Sequence, residues 1–182
     1  MSKRLLVLVA TGAFLAGAAI SDPWGPARAP SVPEADGYVE IPNAAVPPVK
    51  GRVYRAVFDA NRAADKPSQL VPAVNNLGSE LNAFAAAGLP KSAAKFVLVF
   101  HGPAMDALMD DAHYRAKYHI DNPNLRVLSR LKSGGVEMFV CGQNLASDKI
   151  DPRTLTPDVR VASDALIVLM TYQNDGYALL SF

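Results

Sequence analysis

Cys141 is the only cysteine in a chain of 182 residues. It stands where the run Val136-Glu137-Met138-Phe139-Val140 gives way to Gly142-Gln143-Asn144. One thiol cannot close an internal disulfide, so it is either packed and inert or left for chemistry with a partner. If a helix starts just after Gly142, its first amides lie close to the sulfur and favour the thiolate. A thiolate attacks disulfides, accepts sulfane sulfur and binds soft metals. The inert alternative is a small buried hydrophobe at a strand end. His101 ends a second apolar run, Lys95-Phe96-Val97-Leu98-Val99-Phe100. It can serve Cys141 as a base or a stabilising cation, or it can bond backbone at the start of a turn. Asp59 and Asn61 follow a third run and read as substrate contacts or as helix and turn caps. Gly102, Gly142, Gln143 and Asn144 lie in the turns beside His101 and Cys141 and join them as candidate substrate contacts.

Asp106, Asp110 and His113 fall at steps of four and three, on one face of an expected helix. That pattern suits a surface metal site of low specificity, or a solvated polar face. His119 and Asp121 in the following turn have the same two readings. The chain has no Gly-rich phosphate loop and no GxGxxG motif, so no cofactor and no resident metal is predicted.

These side chains need elements to hold them. Val53 to Phe58 predicts a strand ending near Asp59. Leu70, Val74, Leu77, Leu81 and Phe84 recur at steps of four and three, one face of a helix with Pro72 in its first turn and Gly88 as its stop. A strand over 95–100 leads to His101. A helix is expected from Met105 to Tyr118, with Met105, Leu108, Met109 and Ala112 facing inward. Another spans Asn124 to Lys132, stopped by Ser133-Gly134-Gly135. The strand 136–140 leads to Cys141, and a short helix follows from about Asn144. A last helix runs from Asp164 to Asn174, and Tyr177 to Phe182 forms a final strand. Buried apolar strands alternating with helices predict a mainly parallel sheet covered on both faces, a three-layer α/β sandwich. Ligand crevices in such sheets lie at the carboxyl ends of the strands, where Asp59, His101 and Cys141 all fall.

Half of the residues are hydrophobic and the formal net charge is +1. That excludes the concentrated basic stripe of a nucleic-acid binder. Lys3 and Arg4 precede an uncharged apolar stretch from Leu5 to Ile20. About 16 residues is short of the roughly 20 that span a bilayer, so residues 1–21 read as a cleaved signal peptide and the mature chain as periplasmic or secreted, with an uncleaved membrane anchor as the alternative. Residues 22–51 form a proline-rich lead, expected to be extended or irregular, with Trp24 or Tyr38 as anchors. Residues 52–182 form the α/β domain.

From about Arg52 to Phe182 the chain resembles the DsrE/DsrF-like (YchN-like) family. The resemblance rests on His101-Gly102-Pro103-Ala104, on Leu131 with Gly135-Val136, on Val140-Cys141-Gly142-Gln143-Asn144-Leu145, and on Gly176-Tyr177-Ala178. It implies a flavodoxin-like α/β fold that assembles into homo-trimers or hexamers. In the family's sulfur-relay members the cysteine matched by Cys141 carries a persulfide, exchanged with donor and acceptor proteins in the cytoplasm. This chain departs from them in its export signal. The expectation is an exported sulfur carrier using Cys141 and His101. The alternatives are an oligomeric or small-ligand-binding module with a structural Cys141, and a metal or haem binder using His101 and Cys141.

Overall fold

The computed structural model describes residues 24–182, and the expected signal peptide lies outside them. Five strands form one sheet: β1 (Tyr54–Ala60), β2 (Ala94–Phe100), β3 (Glu137–Cys141), β4 (Arg160–Ala162) and β5 (Ala178–Ser181). All neighbours pair in parallel, in the order β4-β3-β2-β1-β5. The helices are α1 (Pro72–Ala86), α2 (Asp111–Tyr118), α3 (Asn124–Ser133), α4 (Gly142–Ser147) and α5 (Ala165–Asn174). Among the described residues no helix is long and apolar enough to cross a membrane.

The central strands are apolar on both sides because both sides are covered. Phe58, Phe96, Leu98, Phe100 and Met138 face a large core shared with Leu77 of α1 and Leu128 and Leu131 of α3. Val57, Val97, Val99 and Cys141 face the other way, onto Ala165, Val168 and Leu169 of α5. The strand order explains the lone helix on that side. The chain leaves β4 at one edge and must reach β5 at the other, and α5 crosses the sheet to do so, packing on β1, β2 and β3.

The predicted stop of α1 is present. Gly88 adopts φ +72°, and Leu89 N–H returns to the Phe84 carbonyl at 2.9 Å, closing the helix end. The expected helix from Met105 to Tyr118 is two elements. Gly102–Leu108 is a 3₁₀ helix, and Asp110 then caps α2 by accepting the His113 N–H at 2.8 Å. The tighter 3₁₀ turn puts residues three apart on one side, so Met105 and Leu108 are buried as expected. Ala112, expected inside, is exposed, and Tyr114 is the buried residue of α2. Strand β4 was not expected. Its three residues are largely solvent-facing and carry no apolar run.

The proline-rich lead folds onto the domain. Arg28 and Tyr38 form an antiparallel bridge. Trp24 is exposed and Tyr38 is half-buried against the core, but the deepest anchor is Val32. Fully buried Asn82 of α1 accepts the N–H groups of Ser31 and Val32 at 2.9 and 2.8 Å and donates to the carbonyls of Val32 and Asp36 at 3.0 and 3.1 Å. Gly78 lets the lead come this close, since a Cβ there would lie 2.6 Å from the Ala35 methyl.

Candidate functional site

The carboxyl ends of β1, β2 and β5 meet at a polar cluster. Alternation along the strands sets Asp59, His101 and Cys141 on the α5 side of the sheet, in step with Val57, Val97 and Val99. His101 Nε2 lies 2.7 Å from Asp59 Oδ1. Asp59 Oδ2 accepts from Asn61 Nδ2 at 2.8 Å and from Ser181 Oγ at 2.9 Å. Asn61 Nδ2 also reaches Ser181 Oγ at 3.0 Å. The Asp59 side chain is 11% exposed and that of His101 27%. The anchor is thus screened while the imidazole meets solvent. β1 is flanked by β2, which it reaches through α1, and by β5, which the chain enters from β4 through α5, so Asp59 ends a strand with a neighbour on each side.

Cys141 closes β3 and is the N-cap of α4. The expected short helix therefore begins at Gly142, two residues earlier than read from sequence. Gly142 is required there. A Cβ would lie 2.5 Å from the Ala162 carbonyl oxygen, so only glycine lets the turn press against β4. The thiol is 4% exposed, packed among the α5-face residues. Its polar neighbour is Asp164 Oδ1 at 4.0 Å, the same oxygen that accepts Leu166 N–H at the start of α5. Asn144 Oδ1 accepts the Gly102 N–H at 3.1 Å, tying the turn after β2 to α4. Gly102 can make that turn because its φ is +54°. Gln143 Nε2 donates to the Ser163 carbonyl at 3.1 Å.

The structure thus gathers Asp59, Asn61 and His101 into one network, and Gly102 with Asn144 into a second contact beside it. Cys141 sits in the next strand, with its own contact to Asp164. Ser181 and Asp164 were not singled out from sequence. Ser181 joins only because β5 lies beside β1. Asp164 joins only because β4 lies beside β3.

The polar residues of the other expected face are dispersed. Asp110 pairs with His113 Nδ1 at 2.7 Å, and hydrogen bonds from the His113 backbone and side chain hold its carboxyl below the usual range. Asp106 instead takes Lys117 Nζ at 2.7 Å and the Tyr118 hydroxyl. Asp121 pairs with Arg115, and His119 ends α2 in the left-handed conformation. Among the described residues no group of three or more His, Cys, Asp or Glu side chains is placed to hold a metal ion.

Residues 54–182 match the model of the DsrE/DsrF-like family, and the chain belongs to that family. Two solved structures share the fold. MTH1491 of Methanobacterium thermoautotrophicum, a protein of unknown function, is 21% identical over 71% of this chain and 99% of its own, with a TM-score of 0.53. The ychN protein of E. coli is 17% identical over 71% of this chain and 100% of its own, with a TM-score of 0.50. Comparison with curated proteins gives no match.

Proposed function

We propose that this protein is an exported sulfur carrier, holding sulfane sulfur as a persulfide on Cys141. The observation that carries this reading is the position of Cys141 in a DsrE/DsrF-like chain. The sole cysteine stands at the carboxyl end of a central strand, at a strand-to-helix turn, beside a strand that ends in an imidazole. Export is supported by Lys3 and Arg4 ahead of the uncharged stretch from Leu5 to Ile20. A second reading has its own observation. The thiol is 4% exposed and packed against Val168 and Leu169, as a structural cysteine in a binding module would be.

The carrier is also proposed to be a homo-oligomer, a trimer or hexamer. Leu166, Ile167 and Met170 on α5 and Leu179 and Leu180 on β5 are exposed, and α5 carries no charged residue. An uncharged helix with large apolar side chains on its outer face is normally covered.

Intact-mass spectrometry of protein recovered from the periplasm tests the main reading. The expected mass lacks the signal peptide and carries one extra sulfur, about 32 Da, that a reductant removes and Cys141→Ser abolishes. A mass without that sulfur, together with a thiol that alkylates only after unfolding, would put the binding-module reading in its place.

A further inference from the structure

We propose that Asp59 is the positioning residue of this site and His101 its proton carrier, a role that rests on the sulfur-carrier reading above. Asp59 as a carboxylate can only accept hydrogen bonds, so the ring nitrogen 2.7 Å from it, Nε2, is the one that carries hydrogen. In the neutral imidazole the lone pair then belongs to Nδ1. Asp59 therefore fixes both the tautomer and the ring. It is itself fixed by Asn61 and Ser181, so donors from three segments converge on one screened carboxylate. A cap or turn contact would need one such bond. This arrangement holds an imidazole whose remaining nitrogen is its chemically open atom.

The register sets His101 and Cys141 side by side on neighbouring strands. Phe100 of β2 pairs with Val140 of β3, and His101 and Cys141 are the next residues on each. His101 stays extended at φ −152°, and its N–H continues the ladder to the Ala60 carbonyl at 3.0 Å. Neighbouring parallel strands run about 4.8 Å apart, and both side chains leave the same face. At rest the two groups are turned outward, His101 to Asp59 and Cys141 to Asp164. A donor entering between them meets both, and such contacts commonly tighten only when substrate is present.

The donor class is a persulfide, RS–SH. Cys141 Sγ attacks the outer sulfur, and its electron pair forms the new Sγ–S bond. The RS–S bond breaks and its pair leaves on the RS sulfur. His101 Nδ1 takes the Cys141 thiol proton and returns it to the departing RS⁻. The balance is Cys141–SH plus RS–SH giving Cys141–S–SH plus RSH, with no oxidant or reductant.

The test is the rate of Cys141 persulfidation by glutathione persulfide, followed by mass spectrometry against pH in the mature protein. His101→Gln is expected to slow it about 100-fold and to change its pH profile. Asp59→Asn is expected to do the same, and the double variant to be no slower than either single one, because the two act as a unit. ¹⁵N spectra of His101 should show the Nε2–H tautomer in the parent and a mixture in Asp59→Asn. If Asp59→Asn does not fold, half-exposed His101 carries the kinetic test. A parent that takes up sulfur while His101→Gln keeps its rate and pH profile would overturn the proposal and leave the carrier reading intact. A parent that takes up no sulfur at all would overturn the carrier reading first.

Discussion

The two faces of the sheet are built differently. On one, α1, α3 and the 3₁₀ turn interlock over a deep core, and the N-terminal lead adds a further layer through Val32 and Asn82. On the other, α5 alone covers Val57, Val97 and Val99, and its own outer side chains meet solvent. The larger buried core lies on the first face. The chemistry-bearing residues Asp59, His101 and Cys141 all leave the second. On the proposed reading, the thin cover leaves the strand ends open to a partner or substrate, and the thick face holds the strands in register.

The sharpest way to break this comparison is to make the same deletion on each side. Leu128→Ala, at a fully buried position of α3, should cost about 4 kcal/mol in urea unfolding, because its surroundings cannot collapse into the cavity. Leu169→Ala on α5 should cost about 2 kcal/mol, since a single helix can settle onto the sheet. Equal costs would mean that α5 is as firmly held as the helices opposite. A second expectation concerns assembly. Ile167→Lys on the outer side of α5 should reduce the mass seen by light scattering to that of one chain while leaving the monomer's helicity unchanged. An unchanged mass would show that this face is not the contact.

The smallest effect expected lies away from both faces. Asp151 is held down from 3.8 to about 2 by hydrogen bonds from the Arg153 side chain and backbone. A depressed carboxyl contributes stability that is complete above its unfolded value and fades as pH falls through its folded one. Its contribution is therefore present above 3.8 and lost toward pH 2. Both groups are exposed, so the unfolding midpoint should hardly move. NMR titration should nevertheless show Asp151 returning toward 3.8 in Arg153→Ala.

The central strands and α1 were legible because burial on both sides leaves continuous apolar runs, and because Pro72 and Gly88 punctuate the helix. Met105 to Tyr118 misled because apolar residues three apart serve a 3₁₀ turn as well as a helix, and nothing apolar marks the restart at Asp110. β4 was silent because an edge strand of three residues buries almost nothing. The same blind spot shaped the site. Strand ends pointed to Asp59, His101 and Cys141, but their contacts depend on strand order, which periodicity does not carry. Missing the β3–β4 pair meant missing Asp164 beside the sulfur. Not knowing that β5 lies against β1 meant missing Ser181.

That β1–β5 pair has a consequence for how the molecule comes into being. Residues 56–59 must wait for 178–181, with the other three strands lying between them in chain order. A pairing of that separation is among the costliest loops a chain can close, and such non-local contacts slow folding. Until it forms, β1 is an open edge and the Asp59 carboxylate lacks its Ser181 donor. The polar network is therefore expected to mature late, after the β1–β2–β3 ladder is in place. A chain that is only partly folded would hold its thiol without the finished polar network beside it. Competence to handle sulfur would then report that folding is complete.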